Sequence, residues 1–306
     1  FAGFNISHDA YYSTHSDENK VLSEQVFLAA QQAGAIEERE IEQYFCEQSQ
    51  LFLSDRYIKG ECPKCGAEDQ YGDACEKCYS TYDATQLKNP ISVYSGKAPV
   101  LRKSLHYFFK LAGFEDKIKA WLDAGHVHPS VKNKLQEWFD AGLKDWDISR
   151  DAPYFGFQIP GSDNKFFYVW LDAPIGYIAT TKHWCDTYKK EDFDTIWKSN
   201  DYEIHHFIGK DILYFHTLFW PAMLDVAGFS LPKKVAVHGF LTVNGEKMSK
   251  SRGTFILASK YLEHLNPEFL RYYYAAKLTE GMDDIDLSLE DFTNKINSDV
   301  LGKVIN

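Results

Sequence analysis

The chain has 306 residues, 44% of them hydrophobic and 16% aromatic, which suits one or two packed domains and excludes a disordered polymer. With 44 acidic against 33 basic residues its net charge is −11, which argues against a protein that coats nucleic acid non-specifically. No stretch approaches the ~18–20 uninterrupted apolar residues of a membrane span, and no basic start with an apolar core marks a secretory signal.

The chain opens Phe1-Ala2-Gly3-Phe4 without a Met and reads as an internal fragment whose residues 1–16 end a domain begun earlier. Thr14 and Asp17 form a capping box for a helix over 17–33, with Val21, Leu22, Val26, Phe27 and Ala30 on one face and Gly34 as its stop. Glu38–Glu47 is a second, shorter helical segment. Residues 50–95 are short β-type runs broken by Gly, Pro and Asp. Residues 104–125 pass from strand to helix. From Val131, apolar positions at Leu135, Trp138, Phe139, Leu143 and Trp146 predict a helix to about Asp147.

A Pro- and Gly-punctuated stretch, 151–164, precedes the apolar run 166–180, which fits a buried parallel strand. Residues 203–209 form a second strand and 211–226 a helix kinked at Pro221. Residues 234–243 form a third strand, and 257–306 are helical, with Leu270, Tyr273, Tyr274 and Leu278 on one face. This alternation predicts a doubly wound α/β sheet.

Six cysteines are present, four of them in Cys62-x-x-Cys65 and Cys75-x-x-Cys78. Each hairpin aims two thiolates at one ion, and two hairpins complete a tetrahedral set closed to water, hence a structural metal. Zn²⁺ suits it, and iron would take the same ligands. Cys46 and Cys185 read as ordinary packed cysteines.

Three segments carry candidate chemistry. Trp170-Leu171-Asp172-Ala173-Pro174-Ile175-Gly176-Tyr177 lies at the carboxyl end of a predicted strand, where ligands bind in open α/β sheets; Trp170 and Tyr177 wall a pocket or fill the core. Ile208-Gly209-Lys210-Asp211-Ile212 is a strand-to-helix turn. Gly209 permits close backbone approach, and Asp211 either accepts from a ligand or favours the helix dipole. Ile212 and His216 share one helix face, where His216 is a ligand contact or a satisfied core histidine. Arg150, before a rigid turn, reaches a substrate phosphate or the tRNA acceptor end, or makes a plain salt bridge to Asp147 or Asp151.

Lys247-Met248-Ser249-Lys250-Ser251, flanked by Gly245 and Gly253, places two ammonium groups and two hydroxyls on a loop after a strand, a setting that can wrap polyphosphate. Lys233, Lys234, Lys247, Lys250 and Arg252 form a local basic excess. This five-residue string resembles the signature loop of class I aminoacyl-tRNA synthetases. Joined to Trp170–Tyr177, Phe207–Ala222, Trp146–Gly156 and the cysteine knuckle, it resembles methionyl-tRNA synthetase across almost the whole chain.

The resemblance implies a class I synthetase Rossmann-like fold. Residues 1–16 are the tail of its first half and 17–165 a connective insertion with the zinc knuckle (62–78). Residues 166–240 are the second half, 241–302 the signature-loop and stem-contact segment, and 303–306 the start of an anticodon-binding helical bundle. It implies ATP-dependent activation of L-methionine to methionyl-adenylate and transfer to the 3′ end of tRNA(Met), with one structural zinc and Mg²⁺ accompanying ATP. Lys247 and Lys250 would hold the β- and γ-phosphates, and Arg150 is counted with them as a catalytic residue. Trp170, Ala173, Pro174, Tyr177, Ile212 and His216 would form the methionine pocket. Gly209 and Asp211 would contact the nucleotide and the amino group, and Phe215 and Trp220 match aromatics that rearrange around the amino acid.

A second class signature, His-x-Gly-His, is absent from the 306 residues, so the expectation is a fragment inactive by itself. A cytoplasmic protein and a homodimer formed through a C-terminal region are also expected. The competing readings are another class I synthetase and a non-catalytic zinc-ribbon tRNA-binding module.

Overall fold

A computed structural model describes residues 1–72, 75, 77, 78, 80, 82–188, 191–199, 201–248 and 255–305. The chain divides into two compact units. The smaller comprises Thr14–Lys110 and Asp145–Ile175; the larger comprises Phe1–Ser13, Leu111–Lys144 and Gly176–Asn306.

The smaller unit opens with helix α1 (Asp17–Gln32). Its N-cap is Ser16 and not the expected Thr14: the Ser16 hydroxyl accepts the Asn19 N–H at 3.2 Å. Asn19 Nδ2 instead donates to the Thr14 carbonyl at 2.7 Å and to the Asp172 carbonyl at 3.1 Å. Leu22, Val26, Phe27 and Ala30 are buried as expected, while Val21, one residue round the helix, faces out.

Among the described residues nine strands follow: β1 (Ile36–Cys46), β2 (Leu51–Phe52), β3 (Ile58–Glu61), β4 (Gln70–Tyr71), β5 (Lys88–Ser92), β6 (Val100–Phe109), β7 (Trp146–Asp147), β8 (Ser149–Asp151) and β9 (Lys165–Phe167). They form sheets of order β2-β1-β6-β7, β4-β3-β5 and β8-β9. The helix expected over Glu38–Glu47 is therefore β1. Its Glu-rich sequence favours helix locally, but ten antiparallel register pairs with β6, Ile36↔Phe109 to Phe45↔Val100, override that preference. Phe27 packs edge-on against Tyr107 and Phe167, with ring centroids 5.7 and 5.4 Å away. A second core joins Cys46, Leu53, Ile58 and Leu87.

In the larger unit, α2 (Glu115–Asp123) and α3 (Pro129–Asp140) precede α4 (Val169–Tyr188), whose first turns belong to the smaller unit. The predicted helix to Asp147 stops at Asp140, because Gly142 turns the chain at φ +77° and Trp146–Asp147 pair as β7. The buried strand expected over 166–180 is only the short β9, antiparallel to β8, followed by the helix α4. Leu171, Ile175, Ile178 and Ala179 are all buried, and an apolar run without clear period does not by itself separate strand from buried helix.

Next come α5 (Phe193–Lys198), β10 (His205–Gly209), a 3₁₀ turn (Lys210–Ile212), a π-helical turn (Phe215–Phe219), α6 (Trp220–Ala227) and β11 (Lys234–His238). The strands β10 and β11 are parallel, from His205↔Lys234 to Gly209↔His238, with α6 in the crossover. The single strand expected over 234–243 is two. It breaks at Gly239, where a Cβ would stand 2.2 Å from the Asp283 carbonyl oxygen. Beyond it lie β12 (Leu241–Val243), β13 (Glu246–Lys247), α7 (Ala258–Leu262), α8 (Pro267–Lys277), β14 (Ile285–Leu287), α9 (Leu289–Lys295) and a π-helical stretch (Ile296–Ile305). The helical stretch expected over 257–306 is thus three helices and the π-helical stretch, interrupted by loops and by β14, which pairs parallel to β12. Tyr273, Leu287, Phe292 and Ile296 make its core; Leu278, expected on that face, is exposed.

Among the described residues no helix is long and apolar enough to cross a membrane.

Candidate active site and metal centre

The larger unit gathers four aromatic side chains from four elements. Tyr177 comes from α4, His206 from β10, His216 from the π turn and Trp220 from the start of α6. The wide turn has a local cause. Pro221 carries no N–H, so the helix loses one ladder donor there, and the turn just before it loosens to the π form.

His216 Nδ1 lies 3.1 Å from the Ile212 carbonyl, which only accepts, so this nitrogen carries the proton. Burial lowers the His216 pKa and keeps the ring neutral, leaving Nε2 as an acceptor for the Tyr177 hydroxyl at 2.9 Å. Trp220, with no exposed surface, donates its indole N–H to His206 Nε2 at 3.0 Å. Burial, with the charge of His216 and His205 as lesser causes, brings the His206 pKa down to about 4. Both imidazoles are therefore neutral and protonated at Nδ1, and both accept at Nε2. Tyr177 is 39% exposed as a residue while burial raises the pKa of its hydroxyl, and Ile212 is half-buried just before the π turn.

Of the predicted pocket residues, Tyr177, Ile212 and His216 belong to this larger unit, with Tyr177 and His216 hydrogen-bonded. Trp170, Ala173 and Pro174 lie on the first turns of α4, on a helix where a turn at a strand end was expected. Asp172 beside them has burial as the main cause of a pKa raised to about 7, opposed by the N–H groups of its own helix start. Its Oδ1 has no hydrogen-bond partner among the described residues. Sequence reasoning missed His206. The available signal was the alternation of β10, where His206 and Ile208 point inward while His205 and Phe207 point out.

Gly209 ends β10 as expected, in ordinary extended backbone (φ −76°), and a Cβ there would stand 2.5 Å from Asp211 Oδ1, so a side chain at this position would displace that carboxylate. Asp211 is exposed. The signature string is reached through a two-residue hairpin: Asn244 (φ +49°) and Gly245 (φ +78°) join β12 to β13, with Val243 opposite Glu246. Positive φ at both central residues is the type I′ signature that Asn-Gly favours. The hairpin is tied to β14, since Asp286 Oδ1 accepts from the Gly245 N–H and the Thr242 hydroxyl, both at 2.7 Å. Lys247 ends β13; Lys250, with 249–254, lies outside the described residues.

Arg150 sits in the smaller unit. Its guanidinium donates to the Ser149 carbonyl at 2.6 Å, stacks on Tyr168 at 3.9 Å and stands 3.6 Å from Asp147 Oδ2. The salt bridge to Asp147 is thus present. Arg150 also borders a cleft of about 840 Å³ lined by Tyr57, Tyr82, Tyr94 and Tyr154.

The four knuckle cysteines converge as their spacing predicts, with all Sγ atoms within 4.8 Å of one another. Cys62 and Cys78 are 3.8 Å apart and Cys65 and Cys75 3.6 Å, against an edge of about 3.8 Å for a tetrahedron of ~2.3 Å metal–sulfur bonds. Backbone N–H groups of Cys65 and Cys78 point at Cys62 and Cys75 Sγ (3.5 and 3.3 Å) and would steady those thiolates. The Ala67 N–H favours the Cys65 thiolate, yet desolvation and the neighbouring thiols push its pKa up to about 12. Cys62, opposed by burial but served by the Cys65 and Lys64 N–H groups, falls to about 6. Four thiolates this close need a cation, so the donor set fits a metal ion.

The same turn recurs without its thiols. Cys62 N donates to Ala67 O (2.8 Å) and Gly66 N to Cys62 O (3.0 Å), with Gly66 at φ +72°. Ser92 repeats this with Lys97 O (2.9 Å) and Gly96 N (2.8 Å), with Gly96 at φ +67°. Opposite it, Cys46 pairs with Leu51 across Gln50 at φ +54°, and Cys46 Sγ lies 3.3 Å from both Ser49 and Ser95 Oγ. Hydrogen bonds there stand in place of an ion.

A parallel strand pair ending in Gly209, a lysine-bearing loop carried on an anchored hairpin and a four-cysteine knuckle together describe a class I aminoacyl-tRNA synthetase. The family model described as tRNA synthetases class I (M) matches residues 1–306, and the chain belongs to that family, the methionyl branch of the class. It is similar to the Mycobacterium tuberculosis methionyl-tRNA synthetase solved in complex with methionyl-adenylate, at 26% identity and a TM-score of 0.71. A second structure of that enzyme bound by methionyl-adenylate gives 26% and 0.70. Its free state, at 24% and 0.66, shares the fold. In the first two, 98% of this chain aligns to 53% of the other, so the chain spans about half the length of these relatives.

Proposed function

We propose that this chain is part of a methionine–tRNA ligase, which activates L-methionine with ATP and transfers the methionyl group to the 3′ end of tRNA(Met) in the cytoplasm. The observation that carries the reading is its match, over 98% of its length, to an enzyme solved with methionyl-adenylate.

In the activation step a methionine carboxylate oxygen attacks the α-phosphate of ATP and pyrophosphate leaves. Catalysis is mainly positioning and charge stabilisation. Lys247 and Lys250 are assigned to the β- and γ-phosphates, with Mg²⁺ arriving on ATP. Gly209 brings backbone close to the nucleotide, and the exposed Asp211 carboxylate takes the amino group. Tyr177, Ile212 and His216 are assigned to the methionine side chain, with Trp170, Ala173 and Pro174 from the start of the same helix α4. A thioether gains dispersion and sulfur–aromatic contacts against such side chains. The Tyr177 hydroxyl is the donor that can turn its proton from His216 Nε2 to sulfur. Arg150 is assigned to the tRNA acceptor end. Zn²⁺ is the ion assigned to Cys62, Cys65, Cys75 and Cys78; it would hold the two hairpins together and supply no chemistry of its own.

The test is methionine-dependent pyrophosphate exchange by the full-length protein. Lys250→Ala is expected to slow adenylate formation about 10²–10³-fold with the methionine Kd nearly unchanged. A large loss of methionine affinity at an unchanged rate would remove this role from Lys250. Exchange driven by leucine, isoleucine or valine in place of methionine would move the protein to another class I specificity.

A further inference from the structure

We propose that His206 is a positioning residue for the amino-acid pocket, acting through the indole of Trp220. The inference rests on the methionine reading above and adds to it a residue outside the predicted site.

His206 is 6% exposed and occupies an inward position of β10, where a strand of this burial ordinarily carries an aliphatic side chain. Its ring lies 4.8 Å from that of Tyr177 and 5.8 Å from that of His216, centroid to centroid. Trp220 stands 6.3 Å from Tyr177 with the planes tilted by 65°. His206 thus touches the hydroxyl-bearing pair on one side and holds the tryptophan on the other.

The hydrogen bond defines the indole's orientation. Trp220 is wholly buried, and an indole N–H has no second direction in which to donate. Left without an acceptor, the buried N–H would go unpaired, which favours another rotamer of the ring. Only a neutral imidazole with a bare Nε2 can accept there, and the low-dielectric surroundings keep His206 in that form. The ring that fixes Trp220 therefore also fixes the wall beside Tyr177. An apolar residue of equal volume would fill the space and leave the indole free to turn into the pocket.

The experiment is a double-mutant cycle in the full-length protein, read as methionine KM, ATP KM and kcat in pyrophosphate exchange, with thermal midpoints recorded alongside. His206→Leu is expected to raise the methionine KM about ten-fold, with the ATP KM within about two-fold. His206→Gln, whose amide oxygen can accept the indole, is expected to stay within about three-fold of wild type. In a Trp220→Phe background, which has no N–H to hold, His206→Leu is expected to change the methionine KM less than about two-fold. Equal effects in both backgrounds would overturn the proposal, as would a lowered midpoint with an unchanged methionine KM. If His206→Leu does not fold, His206→Asn, too short to reach the indole, takes its place with the same expectations. Wild-type protein lacking methionine-dependent exchange would sink the methionine reading itself. An active wild type with an unaltered leucine variant would sink only the role of His206.

Discussion

His106 has no exposed surface, and both its ring nitrogens face aspartates: Nδ1 lies 2.7 Å from Asp147 Oδ2 and Nε2 3.0 Å from Asp151 Oδ2. Two carboxylate acceptors require two donors, so the ring is an imidazolium. Lys165, also buried, pairs with Asp151 and donates to Ser104 Oγ at 2.6 Å, and Ser104 donates on to Asp151. Burial opposes the charge on His106, but hydrogen bonds to Asp147 and Asp151 win, and its pKa is raised above 6.5. A raised folded-state pKa gives stability that is complete below 6.5 and lost as pH climbs through the raised value. Burial likewise opposes ionised Asp151, but His106 and Lys165 hold its pKa below 3.8, so its contribution is lost only as pH falls through that lowered value. We therefore expect the denaturation midpoint of the smaller unit to drop between pH 6 and pH 9. His106→Gln should cost about 3 kcal/mol at pH 6 and flatten that slope; a slope unchanged in the variant would refute the assignment. None of this was visible in Ser104-Leu105-His106-Tyr107, because Asp147 and Asp151 are more than forty residues away. The Tyr177–His216 pair was legible as two candidate residues, whereas which nitrogen carries the proton depends on the Ile212 carbonyl and so on the fold.

Two elements were misread for different reasons. The segment Ile36–Cys46 has helix-forming glutamates, and long-range pairing with β6 outweighed that local preference; α4 carries an apolar run that fits a buried strand and a buried helix alike. The knuckle needed no partner from afar, since its spacing and turn residues lie within seventeen positions. Its metal is testable. Chelation should remove one zinc per chain and lower the unfolding midpoint, and Cys65→Ser should do both without a chelator. The Ser92–Gly96 turn makes a sharper test of the same geometry. Because its backbone already repeats the knuckle, Ser49→Cys, Ser92→Cys and Ser95→Cys together with Cys46 should raise the zinc content from one to two per chain. A content that stays at one would mean that the turns, though alike, do not aim their side chains at a common point.

Of the basic excess grouped from the sequence, Lys233 and Lys234 have a described place in the fold, while Lys250 and Arg252 lie outside the described residues. Lys233 precedes β11 and Lys234 begins it, whereas Gly209 and His238 end the parallel pair, about 13 Å along a five-residue strand. These two exposed lysines therefore stand at the amino ends of the strands, away from the edge where open α/β sheets bind ligands. Lys233→Ala with Lys234→Ala should leave pyrophosphate exchange within about two-fold of wild type, in contrast to Lys250→Ala. A loss matching that of Lys250→Ala would place the nucleotide at the other end of the sheet. The net charge of −11 remains compatible with a nucleic-acid partner held through local patches.

The sequence by itself determined what depends on neighbours in the chain. The metal ligands follow from two Cys-x-x-Cys spacings, the strand-to-helix turn from Ile208-Gly209-Lys210-Asp211-Ile212, and the family from the Lys247–Ser251 string in its glycine-flanked setting. Tertiary structure alone decided that Ile36–Cys46 is a strand, that Trp170–Tyr177 is helical, and that His206 accepts from Trp220. The first and last are set by a partner remote in sequence, β6 for the strand and an indole fourteen residues on for the histidine, while the apolar run of α4 fits a buried strand and a buried helix alike. A periodic pattern records which face is apolar, but not which distant group will meet it.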